Sequence, residues 1–438
     1  MRSPYMTRLG LAAVLLAAAV AACSGGNEDD THIIDPPDAG DAGDASTPDA
    51  GLDAGDSGPG EDGGTDAGDD GGTDAGPEDG GSDAGTDAGS DAGTDAGPPP
   101  GTVTIPNELS GYGLFTGTPA GGDFKPVEGN LPYELTTPLF SDYSLKSRTL
   151  YIPAGKAALY SADAVLDLPV GTIITKTFAF PADFREPTKN VRPLETRVLV
   201  RQPQPVGWVA YPYVWNDALT EATLASGGKV FKDFSFIDEQ GVTKKLDYLV
   251  PQRNQCQKCH HVVDEQDNQH LLPIGVKARY LNREHTYGVQ PVNQLQHLAS
   301  LGKLEGLPPA AQVPRAPDAF NAGEADLTQR ARTYLDINCA HCHNPKAQPG
   351  ITSRLFLDIK TTDEFSLGYC KRPGSAGGGV GGEFDIVPGS HDTSILWFRM
   401  HTEVSGKMMP EIGRALRHEA GAQLIADWID AMPPRSCK

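Results

Sequence analysis

The chain has 438 residues and a formal net charge of -22, and that charge is concentrated in one segment. Residues 24–100 hold 22 Asp and Glu with no Lys or Arg, whereas residues 101–438 hold 36 acids against 34 bases. A uniformly acidic protein is excluded, and no basic excess remains to neutralise nucleic-acid phosphates. The pattern is a near-neutral body, long enough for two or three domains, on an acidic tether.

In chain order, Arg2 and Arg8 precede an apolar run, Leu9 to Val20, which is too short to span a bilayer comfortably. It ends Val20-Ala21-Ala22-Cys23, which resembles the lipobox of bacterial lipoproteins. That resemblance implies a signal peptide over 1–23, cleavage before Cys23 and lipidation of Cys23. Multiple acyl chains hold a soluble body on a membrane far more firmly than one. Ser24 at the next position implies the outer membrane, so the expected localisation is the cell envelope. Residues 24–100 are rich in Asp, Gly and Ala, with a four-residue repeat at 82–97. Calcium-binding β-roll repeats would need a large apolar residue in each unit, and 82–97 has none. A disordered, self-repelling linker is expected, spanning ~50 Å as a random coil.

Residues 101–250 read as strands. Leu194, Thr196, Val198 and Val200 alternate with mostly charged residues, and Trp208 to Trp215 and Leu246 to Val250 are further candidates. Thr172 to Phe180 is apolar on both faces. The expectation is an antiparallel β-sandwich or barrel-like domain. Past 250, helices and loops are expected. Leu327, Ala331, Tyr334 and Leu335 predict an amphipathic helix within 323–338. Leu416, Ala420, Leu424 and Trp428 predict another within 416–432, stopped by Pro433 and Pro434.

The chemistry lies in two Cys-x-x-Cys-His sites, Cys256-Gln257-Lys258-Cys259-His260 and Cys339-Ala340-His341-Cys342-His343. Two thiols about one helical turn apart suit addition across the two vinyl groups of haem, and the adjoining imidazole suits an axial position on its iron. A zinc ribbon would bring its cysteine pairs within about 15–20 residues of each other, whereas 79 residues separate Cys259 from Cys339. A thioredoxin-type dithiol would need a βαβ context that neither site has. The cofactor expectation is therefore two covalently bound haems c, with His260 and His343 as iron ligands.

Around the second site the sequence resembles a cytochrome c domain. One predicted helix leads into Cys339, another follows near the chain end, and Lys407-Met408-Met409-Pro410 lies between them. The resemblance implies Met409 as the sixth ligand, a thioether that raises the potential. The body as a whole resembles an uncharacterised family of bacterial di-haem c-type cytochromes. The matching stretches are Pro138 to Tyr143, Glu195-Thr196-Arg197, Tyr213 to Asn216, Asn254-Gln255-Cys256, Leu281-Asn282-Arg283, Asn293-Gln294-Leu295 and Ser394 to Met400. The family implies electron transfer with an unknown redox partner protein and brings no substrate.

The expected architecture is α+β and multidomain: a β-rich, sandwich-like domain at 101–250, a first haem segment at 251–320 and a cytochrome c domain at 321–438. The latter two are expected to be mainly α. The sixth ligand of the first haem stays open. No methionine lies between Met6 and Met400, leaving His261, His270, His285 or His297, Met400 from the second domain, or an open position. His297 is the first choice because it lies in the apolar-patterned stretch Leu295 to Leu301. An open iron would favour a peroxidase-like enzyme, and a third reading makes the β-rich domain a binding module. Cys370 and Cys437, the remaining thiols, are expected to pair in an oxidising compartment.

Overall fold

The computed structural model describes residues 99–347, 353–374 and 380–438. The signal peptide, Cys23 and the tether up to residue 98 lie outside the described residues. Six strands follow one another as an antiparallel meander: β1 (Asn130–Pro132), β2 (Leu145–Tyr151), β3 (Ile173–Pro181), β4 (Val191–Arg201), β5 (Trp208–Trp215) and β6 (Ala222–Leu224). Alternation along the central strands supplies two apolar faces, so the sheet is covered on both sides.

On one face Ile173, Val198, Val200, Tyr213 and Trp215 pack against Leu109, Leu114 and neighbours from the segment preceding β1. The same face carries a threonine row, with Thr149 and Thr175 hydroxyls 2.6 Å apart and Thr177 and Thr196 hydroxyls 2.8 Å apart. On the opposite face Leu150, Ile174, Leu199 and Ala210 lie under Val276, Tyr280, Leu281 and Leu295. Further along that face a hairpin of β7 (Lys229–Ile237) and β8 (Thr243–Val250) covers Phe178, Phe180 and Leu194 with Phe236, Leu246 and Tyr248.

Two expectations about the fold need correction. The β-rich part is one six-stranded sheet with small two-stranded sheets around it, and its faces are covered by irregular chain, short helices and the β7–β8 hairpin rather than by a second large sheet. The chain beyond 250 does not form mainly α haem domains; strands predominate overall, and the helices are few and short. They include α1 (Gln257–His260), α2 (Gln294–Ser300), α3 (Leu327–Asn338), α4 (Ile395–His401) and α5 (Glu419–Asp430), with a small hairpin, β9 (His261–Val263) and β10 (Gln269–Leu271), after the first motif. The physical cause is punctuation. Pro251, Pro273, Pro291, Pro308, Pro309, Pro314 and Pro317 interrupt 251–320, and each removes a backbone donor and fixes φ.

The two amphipathic segments near the end do form helices. Asp326 caps α3, its carboxylate accepting from the Gln329 amide at 2.8 Å. Ala331, Tyr334 and Leu335 of α3 bury against Leu424, Ile425, Trp428 and Ile429 of α5, with Leu396 and Met400 of α4 completing the cluster. Cys370 and Cys437 are joined in a disulfide, their Cα atoms 5.0 Å apart. Among the described residues no helix is long and apolar enough to cross a membrane.

Candidate functional site

The first motif begins in a tight helical turn, Arg253–Cys256, stabilised where the Gln252 amide donates to the Gln255 side chain at 2.8 Å. It continues directly into α1, so Cys256 and Cys259 stand about one turn apart. His260 is tied twice to Leu272. Its ring Nδ1 lies 2.8 Å from the Leu272 carbonyl, and its own carbonyl accepts the Leu272 amide at 2.8 Å. A carbonyl only accepts, so Nδ1 carries the proton and Nε2 keeps its lone pair. Burial pushes the His260 pKa down to about 4, which keeps the ring neutral and able to ligate.

The second motif follows α3 without a break. The amides of Cys342 and His343 donate to the Cys339 carbonyl at 3.1 and 2.9 Å, curling the motif into a turn. Asn338 joins this turn to the sheet region, its Oδ1 accepting the Phe140 amide at 2.8 Å and its Nδ2 donating to the Tyr334 carbonyl at 3.0 Å. Burial pushes His343 down to about 4 and the Cys339 thiol up to about 12.

Each motif opens onto its own cavity. The first, of about 640 Å³, is lined by Cys259, His260, His270, Tyr280 and His341 among others. The second, of about 340 Å³, is lined by Cys339, His343, Met400, Met409 and His418. Both volumes lie in the range of ligand sites. Cys259 and His341 line both cavities, so the two motifs form one dividing wall despite their separation in sequence. There the Cys342 Sγ donates to the Lys258 carbonyl at 3.2 Å. The donor atoms of Cys259, His341 and Cys342 all lie within 4.8 Å of one another. The adjacent Cys342 and His341 side chains lower the Cys259 pKa well below the ordinary thiol value.

Met409 stands in a braced loop. Its amide donates to the Arg399 carbonyl at 2.9 Å, and the buried Arg414 donates from Nε to the Met409 carbonyl and from Nη2 to the Arg399 and Thr402 carbonyls, each at 2.9 Å. A second brace comes from the loop before β2. The Asp142 carboxylate accepts the Ala415 and Leu416 amides at 2.6 and 2.8 Å, and the Tyr143 hydroxyl donates to the Arg417 carbonyl at 3.0 Å.

The structure places the further ligand candidates that the sequence left open for the first motif. His270 lines that cavity; His261, His285 and His297 line neither, and the His297 ring is stacked on Tyr287 at 3.9 Å. Met400 faces the second cavity beside Met409. Two residues escaped the sequence reading. His341 sits inside the second motif, where the spacing rule makes no use of it. His418 precedes α5, stacks on Phe140 at 4.1 Å and shares a 3.0 Å hydrogen bond with the Tyr334 hydroxyl. No local pattern marks either.

The second motif fits a covalently attached haem, with both thiols and a half-buried imidazole at a largely apolar cavity, whereas the first presents Cys259 and His260 at its cavity while Cys256 packs against the apolar cluster under the sheet. No family model, curated protein or solved structure matches the chain.

Proposed function

We propose that this chain is a di-haem c-type electron carrier, exported and held on the cell envelope through Cys23, which exchanges electrons with a redox partner protein. The observation that carries this reading is the pair of Cys-x-x-Cys-His turns, each opening onto its own cavity, with the His260 ring held by Leu272 so that Nε2 is the free donor. Cys256, Cys259 and His260 would hold one haem, and Cys339, Cys342 and His343 the other, with Met409 facing His343. A bound haem supplies reversible one-electron chemistry at its iron. The chain supplies neutral imidazoles, apolar walls that exclude water and a braced loop presenting a thioether. Because Cys259 and Cys342 share one wall, the two attachment points are side by side, as suits a carrier passing electrons through one body.

The test is haem staining of the denatured chain with pyridine haemochrome quantitation. Two haems per chain are expected, and none would remove the reading. Separately, Cys23→Ser should release the protein from the membrane fraction or block its processing; a processed, membrane-bound mutant would remove the anchor.

One observation favours a second reading. The cluster of Cys259, His341 and Cys342 donors is a soft set of the kind that takes zinc or Cu(I). The readings exclude each other, since these sulfurs cannot be both haem thioethers and metal-bound thiolates. Elemental analysis with the intact mass of the denatured chain separates them.

A further inference from the structure

The first cavity has a charged wall that neither motif uses. Besides Cys259 and His260, it is lined by Asp163, Lys277, Arg279 and Lys360. Three separate stretches of chain supply this wall: the segment before β3, the turn after Pro273 and the loop that follows the second motif. In the second cavity Arg414 is committed to bracing the Met409 loop, whereas the wall of the first has a cation to spare.

The carboxylates along the first cavity are engaged. Asp336 accepts the Ile359 amide at 2.9 Å and the Tyr280 hydroxyl. Asp358 accepts the Lys360 amide at 3.1 Å and the Thr361 hydroxyl at 2.6 Å. Asp264 accepts the Gln266 and Asn268 amides at 2.9 and 2.8 Å. Asp163 is shared, with Lys360 Nζ at 3.1 Å from one oxygen and Arg279 Nη2 at 3.6 Å from the other. Lys360 and Asp163 are both more than half exposed, so water competes for that carboxylate as well.

Arg279 stands apart from these. Its side chain is 11% exposed, and its Nε is buried without a hydrogen-bond partner. The 3.6 Å approach to Asp163 is too long for a hydrogen bond, and among the described residues the guanidinium donates to no acceptor. By contrast Arg197 holds the Glu195 carboxylate, while Arg332 and Arg414 hold backbone carbonyls. A nearly buried guanidinium with nothing to bond is costly, and an acceptor entering the cavity would offset that cost. The planar fork of arginine matches a carboxylate, which it can bind through two parallel hydrogen bonds. Lys277, two residues earlier, lines the same cavity and adds a second cation.

We propose that Arg279, supported by Lys277, is a carboxylate-binding subsite of the first cavity. The subsite goes beyond the electron-carrier reading and stands on the cavity's own walls. Two sources carry this chemistry: the carboxylate edge of a haem held by the first motif, or a free small carboxylic acid entering beside the exposed Lys360–Asp163 pair.

The experiment uses the full-length purified protein in two arms. In one, succinate is titrated by isothermal calorimetry at low ionic strength. In the other, protein carrying haem labelled with ¹³C at its carboxylates is read by redox-difference infrared spectroscopy. A response in either arm that depends on Arg279 is the expected result. With a free acid, Arg279→Met should bind succinate more than about tenfold more weakly than the wild type. With haem as the source, the labelled carboxylate bands should shift in that variant at unchanged haem content. Arg279→Lys keeps the charge without the fork and should fall between the two. Lys277→Met should move the same signal by less, and it covers the case of an Arg279 variant that does not fold. Bands unmoved, with succinate binding absent or equal in all variants, would overturn the subsite. A chain without haem would end the di-haem reading and leave the succinate arm to decide the subsite.

Discussion

Phe140 lies flat on His418, ring centroids 4.1 Å apart and planes inclined by 8°. The contact joins the loop ahead of β2 to the residue ahead of α5, and both rings line the second cavity. The strand-rich part of the chain is therefore a wall of the site rather than a separate appendage. The same loop supplies the carboxylate and hydroxyl that brace residues 415–419.

Asp142 accepts two backbone amides from within that brace while only 4% exposed. Asp142→Ala leaves both donors without their acceptor and should cost about 2–4 kcal/mol. Denaturant unfolding should report the loss, and limited proteolysis should show new cleavage around 414–418. An unchanged digest would mean that Arg414 alone secures the loop.

His418 should make stability fall with acid. Burial, followed by the Lys146 charge, pushes its pKa from 6.5 down to about 4. Between those values the unfolded chain binds the proton and the folded chain does not, so stability is full above pH 6.5 and declines as pH falls toward 4. The upper bound for one such group is about 3 kcal/mol. His418→Gln should flatten that part of the stability–pH curve measured by denaturant unfolding.

Met409 and Met400 both face the second cavity, yet they are held differently. Met409 sits in the loop clamped by Arg414, whereas Met400 packs in the cluster between α3 and α5. If the chain carries the two haems proposed above, Met409→Ala should abolish the ferric methionine-to-iron absorption band and lower the potential of the haem at the second motif. Met400→Leu should keep the band and change stability by less than about 1.5 kcal/mol.

At the first site His270 is the histidine outside the two motifs that lines the cavity. On the di-haem proposal, electron paramagnetic resonance of the oxidised protein should give low-spin signals from both irons. His270→Ala should convert one to high spin, and an unchanged spectrum would remove His270 as a ligand.

The Cys370–Cys437 bond closes a loop with a sequence separation of 67 residues. The loop-entropy model assigns such a closure about 4 kcal/mol, acting on the unfolded chain. Cys437→Ser should lower the denaturant midpoint by a corresponding amount, while leaving the haem stoichiometry unchanged.

The sequence by itself determined whatever depends on neighbours along the chain. The thiol and imidazole spacing of each motif is a property of five consecutive residues; strand β4 follows from alternation, and β3, β5 and β8 from apolar runs bounded by turn signals. Likewise α3 and α5 follow from apolar spacing, and the end of α5 from Pro433 and Pro434. Tertiary structure decided what depends on register and on long-range packing. One such decision was a single meander in place of two stacked sheets, because alternation tells a strand which faces it has but not what will cover them. Another was the loss of mainly α domains after 250, where closely spaced prolines left irregular chain to pack on the sheet. The remaining two are the meeting of Cys259 with Cys342 and that of Arg279 with Asp163 and Lys360 at the first cavity. Residues far apart in sequence come together there only because strand pairing and core burial, summed over the whole chain, outweigh the entropy of closing such long loops.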